Sequence, residues 1–98
     1  MRELMFSKKS IKEIREISEY IEAKFSFRIK LEFLEKLKKN LDYVASNPEN
    51  FPQTEYEDLR KCVVSKQTSI FFKISSKDIV VVSVFDTRQN PKKINKTK

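Results

Sequence analysis

The chain has 98 residues, enough for one domain around one modest core. Its 39% apolar fraction, with 8 Phe and 3 Tyr, excludes wholesale disorder. A single Cys and no His exclude an internal disulfide, histidine acid–base or nucleophile pairs and any histidine metal site, so neither metal nor cofactor is expected. The net charge of +7, unevenly placed, suggests an acidic partner, either nucleic acid or an acidic protein, with solvated lysines that keep a small protein soluble as the plainer reading.

The elements follow in chain order. Arg2 to Phe6 reads as a brief first strand. Ser7 or Ser10 can cap the helix behind it, and Ser10-Ile11-Lys12-Glu13 has the spacing of a capping box. Ile11, Ile14, Ile17, Ile21 and Phe25 then recur three or four apart, an amphipathic helix. Phe25-Ser26-Phe27 breaks that pattern, with Ser26 as a second cap. A second stripe runs through Leu31, Leu34, Leu37, Leu41 and Val44 and stops at Ser46-Asn47-Pro48, where Pro48 cannot continue a helix. Two helices joined by a tight break make an antiparallel hairpin.

A loop from Asn47 to Glu57 leads into three predicted strands: Leu59 to Ser65, Thr68 to Ile74 and Ile79 to Phe85. The last is apolar on both pleat faces, which suits a central strand. The expected fold is α+β in the order β-α-α-β-β-β, with the helical hairpin on one face of a small, mainly antiparallel sheet. With 0 Gly in the chain, left-handed turn positions fall to Asn or Asp, and Asn47, Asn50, Asp78 and Asn90 are the candidates. Residues 1–92 form the expected domain and 93–98 a basic tail. The longest apolar run, Ile79 to Val82, is too short to cross a bilayer, and no signal peptide is evident, so a soluble cytoplasmic protein without membrane contact is expected.

Charge is segregated. Glu49, Glu55, Glu57 and Asp58 crowd the loop, whereas Arg60, Lys61, Lys66 and Lys73 follow without an acid between them. Arg88 lies just past the last strand and Lys92 and Lys93 beyond it. Arg60, Lys61, Lys66, Arg88, Lys92 and Lys93 are therefore the candidates for contact with a target or with nucleic acid. Plainer roles compete: Arg88 can pair with Asp86, Arg60 with Glu57 or Asp58, and Lys61 and Lys66 can simply be solvated. Phe71 and Phe72 point to opposite faces, so at least one is core.

Leu59-Arg60 at the second strand, Ile70-Phe71-Phe72-Lys73-Ile74 on the third and Val84-Phe85-Asp86-Thr87-Arg88-Gln89-Asn90-Pro91 after the fourth resemble the RelE/ParE superfamily of type II toxins. The segment Asn47 to Pro52 is similar to the loop those toxins carry after their second helix. The resemblance spans residues 2 to 92 and implies a growth-inhibiting toxin, of the kind associated with plasmid stabilization, paired with a cognate acidic antitoxin. The RelE-like branch cuts ribosome-bound mRNA and the ParE-like branch poisons DNA gyrase. Leu59-Arg60, Phe71-Phe72 and Arg88-Gln89-Asn90-Pro91 look like the ParE pattern. A RelE-type endoribonuclease would have Arg60, Lys61 and Arg88 for charge and Asp86, where many relatives have histidine, as its sole candidate base. That role needs a large upward pKa shift. A gyrase poison needs only a surface, and an inactive relative that merely binds an antitoxin or nucleic acid is the third possibility.

Overall fold

The computed structural model describes residues 2–56 and 58–89. Asn90 and Pro91, Lys92, Lys93 and the tail 93–98 lie outside the described residues. The order is β1 (Glu3–Phe6), α1 (Lys8–Lys24), α2 (Phe27–Ser46), a 3-10 turn (Pro48–Asn50), β2 (Arg60–Val63), β3 (Thr68–Ile74) and β4 (Asp78–Asp86). The four strands form one sheet in the order β1-β4-β3-β2, with β1 parallel to β4 and the other pairs antiparallel. The strand ending near Phe85 is therefore central, as its apolar run requires.

Both helices begin on serine caps. The Ser7 hydroxyl accepts from Ser10 N (3.0 Å) and the Ser26 hydroxyl from Ile29 N (3.1 Å), each satisfying an amide of a first turn. The capping box at Ser10 does not form. Ser10 is buried inside α1 and its hydroxyl donates to Ser7 O, while Glu13 serves the sheet instead. A Lys30–Glu22 pair (2.7 Å) ties the two helices together near their turn.

Phe33, Leu37, Leu41 and Val44 of α2 and Ile17 and Ile21 of α1 meet Cys62, Ile70, Phe72, Ile79, Val81 and Val84 in the core. The apolar stripes are narrower than the sequence suggests. Ile11, Phe25 and Leu31 are exposed; Ile11 lies in the first turn of α1 and Phe25 at its C-cap. Phe33, flanking the expected stripe, takes the place assigned to Leu31. On β4 the helix-facing residues are fully buried, while Val80, Val82 and Phe85 are only half covered; the sheet is helix-covered on one face, so burial on both faces is not reached.

Glycine-free turns are closed by serine. Ser65 Oγ accepts from Thr68 N (3.1 Å) in the β2–β3 turn and Ser75 Oγ from Asp78 N (3.0 Å) in the β3–β4 turn. The one left-handed backbone among the described residues is Asp58, φ 62°, rather than Asn47, Asn50 or Asp78. Aspartate tolerates that region better than most residues, which lets the acidic loop turn into β2.

Candidate functional site

The end of β4 is built around a buried carboxylate. Asp86 stands opposite Thr68, its side chain fully shielded from solvent. Thr68 Oγ1 donates to Asp86 Oδ2 at 2.6 Å. Arg88 grips both oxygens, Nε to Oδ1 at 3.0 Å and Nη2 to Oδ2 at 2.8 Å, and its backbone amide adds a bond to Oδ1 at 2.9 Å. The guanidinium carbon sits 6.0 Å from the Phe33 ring centroid, a favourable distance for a cation over an aromatic face. Arg88 is thus held by Asp86 of β4 and lies beside Phe33 of α2, while Thr68 of β3 steadies the carboxylate, yet Arg88 keeps a quarter of its side chain open to solvent.

This arrangement decides the protonation state. Burial alone would push the Asp86 carboxyl up; the bonds from Arg88 and Thr68 and the Arg88 charge outweigh it and hold the group below its usual range. The bond to Asp86 in turn pushes Arg88 up, against its own burial. A general base at this position would need the opposite shift, so the site offers a locked ion pair where the nuclease reading asks for a proton acceptor.

The other basic candidates are dispersed. Lys66 lies in the β2–β3 turn at the same end of the sheet as Arg88, since Thr87 N bonds to Gln67 O there (3.0 Å). Arg60 is at the far end of β2. The register runs from Arg60 opposite Phe72 to Val64 beside Thr68, a four-residue offset of about 13 Å along the strand. Its Nη1 donates to Phe51 O (2.6 Å) and Glu49 O (3.3 Å), bracing the loop whose Phe51 ring packs edge-on against Phe72 (5.8 Å). Arg60 pairs with loop carbonyls, not with Asp58. Lys61 points to the helix-free face, its Nζ 5.9 Å from the Phe71 ring, while Phe72 is the fully buried partner of that dipeptide.

Two residues read from the sequence only as helix-capping groups, Ser7 and Glu13, also hold the stretch of β4 that leads to the site. Beyond Phe6 the strand β1 ends, and the exposed side of β4 is closed by α1: Ser7 Oγ donates to Val82 O (2.8 Å), and Glu13 Oε1 accepts from Ser83 Oγ (2.9 Å) and Val84 N (3.0 Å). The register slips between Phe71 and Phe72 at this point, so the β4 groups freed by the irregularity are met by side chains. Nothing in the local pattern of Glu13 distinguishes this role from a cap. A shallow notch of about 70 Å³ beside Arg88 is lined by Ile29, Phe33, Lys36, Ser65 and Gln67 among others, and no metal-ligating cluster occurs among the described residues.

A helical hairpin laid on a four-stranded sheet in the order β-α-α-β-β-β matches the RelE/ParE-like fold. The family described as the ParE toxin of type II toxin-antitoxin system, parDE, matches residues 4–91, and the chain belongs to that family. Among solved structures it is similar to a chromosomal ParDE toxin-antitoxin system from P. aeruginosa at 12% identity and TM-score 0.77, covering 88% of this chain and 96% of that one. The E. coli DinJ-YafQ complex follows at 14% identity and TM-score 0.61, covering 90% and 96%. A conserved Helicobacter pylori protein gives 14% identity and TM-score 0.58, covering 91% and 98%. No curated protein sequence matches.

Proposed function

We propose that the chain is a growth-inhibiting toxin that acts by binding DNA gyrase and is neutralised by a cognate acidic antitoxin. The observation that carries this reading is the Asp86–Arg88 pair: the one acid at the end of β4 is buried and held ionised, which suits a rigid binding surface and not proton transfer. The family match and the likeness to toxin-antitoxin complexes support the antitoxin. Contact with the target falls to the open side of Arg88 and to Lys66 in the adjoining turn, with Lys92 and Lys93 following in sequence. The rival endonuclease would have to gather Arg60, Lys61 and Arg88 around one phosphate, and Arg60 and Lys61 are adjacent strand residues directed to opposite faces.

The test is induced expression beside purified-component assays. Growth arrest with an SOS response, and loss of supercoiling by purified gyrase on adding the chain, are expected. Codon-positioned mRNA cuts with gyrase unaffected would overturn the proposal in favour of the nuclease, and absence of arrest would leave an inactive relative. Relief of arrest by a neighbouring acidic open reading frame identifies the antitoxin.

A further inference from the structure

The two edges of the sheet are treated differently. The outer edge of β2 is covered by its own loop: Lys61 N bonds to Pro52 O (3.0 Å), Thr54 N to Leu59 O (2.7 Å), and Gln53 bridges to Arg60. The outer edge of β1 carries no such cover among the described residues. Glu3 N donates to Lys77 O (3.3 Å) and Ser7 N to Val81 O (3.0 Å). Since alternate residues of a strand bond to the same neighbour, Glu3, Met5 and Ser7 turn their amides toward β4, and Leu4 and Phe6 turn theirs outward. Met5 is 49% exposed and Phe6 38%. The strand, only four residues long and with Glu3 at its start, thus shows a short unpaired edge with exposed Met5 and Phe6 and with no proline, bulge or lysine within it.

We propose that this edge pairs with β1 of a second copy of the chain, antiparallel about a two-fold axis, joining two four-stranded sheets into one. Free amides require outward residues to face outward residues, and the register that pairs both of them within β1 sets Leu4 opposite Phe6 of the other copy and Phe6 opposite its Leu4, each pair exchanging hydrogen bonds; Met5 then meets its own counterpart on the axis. Charge fits the same register. Arg2 is already paired with Glu49 (3.1 Å) and Lys9 with Glu13 (3.9 Å). Glu3 at one end of β1 and Lys8 at the other have no ion-pair partner among the described residues. An antiparallel two-fold sets Glu3 opposite Ser7 of the other copy, next to its Lys8. Because those two charges cancel, an acidic strand from another protein gains no net attraction here, whereas a second copy gains two complementary contacts.

The test uses the purified chain. A Met5 pair on the axis is a non-hydrogen-bonded pair with Cα atoms about 4.5 Å apart, within the range a disulfide spans. Met5→Cys is expected to cross-link into a dimer under mild oxidation, while Val63→Cys, 62% exposed in the native chain on the covered edge strand, does not. Buried Cys62 contributes no background. Sedimentation from micromolar to millimolar concentration should show the mass rising toward a dimer, and Met5→Lys should abolish the rise while keeping the native circular dichroism. A chain that stays monomeric at millimolar concentration overturns the proposal. So does a Met5→Cys variant that cross-links no faster than Val63→Cys.

Discussion

Replacing Arg88 by alanine tests the physical basis of the site. The substitution removes both side-chain bonds to Asp86, 3.0 and 2.8 Å, and leaves a fully shielded carboxylate with only the Thr68 hydroxyl and one backbone amide. Breaking one partner of a buried ion pair costs about 3–5 kcal/mol. Here the Arg88 side chain is 24% exposed, so water reaches part of the vacated space and about 2–3 kcal/mol is the expected loss at neutral pH. For a domain of this size that corresponds to a melting temperature lower by roughly 10–20 °C. The assay is urea and thermal unfolding of both proteins across pH. In the native protein the Asp86 carboxyl sits below its ordinary value. Its contribution is therefore present above the unfolded carboxylate pKa of about 3.9 and is lost as pH falls through the lowered folded value. In Arg88→Ala desolvation dominates, the carboxyl is pushed up, and protonation relieves the buried charge. The gap between the two proteins must therefore narrow toward low pH. A gap below about 0.5 kcal/mol at pH 7, or one of constant size down to about pH 2, refutes the reasoning. Asp86→Asn added to Arg88→Ala should restore part of the loss, since it removes the charge that needed a partner.

Glu13→Ala leaves the Val84 amide and the Ser83 hydroxyl without their acceptor, and should cost about 1–3 kcal/mol; amide exchange at Val84 should rise more than at Ile70, deep in the sheet. Phe72→Ala empties the centre of the core, where the ring is fully buried, and should cost about 3–5 kcal/mol, read by denaturant midpoint. The Cys62 thiol is buried and pushed up by desolvation, so disulfide-exchange reagents at pH 8 should react only as fast as the chain unfolds; rapid stoichiometric labelling of the native protein would contradict its place in the core.

The sequence determined the parts and their order. The period of apolar residues along α1 and α2, the stop at Asn47-Pro48, the extent of β3 and the central place of β4 all follow from local rules: a helix repeats every three to four residues, a strand every two, and a strand apolar on both sides needs neighbours on both sides. Leu59-Arg60, Phe71-Phe72 and Arg88 to Pro91 were also legible as family motifs, and those motifs pointed to ParE. Tertiary structure decided how the polar side chains are spent. Whether Glu13 caps its own helix or closes β4, whether Arg60 reaches a target or holds Phe51 and Glu49, and whether Asp86 is raised or lowered depend on groups 9 to 71 residues away in sequence, or on burial around a near neighbour such as Arg88. Hydrogen bonds and desolvation act through space over a few ångströms, and a carboxylate's neighbours at that distance are chosen by the fold, not by its place in the chain.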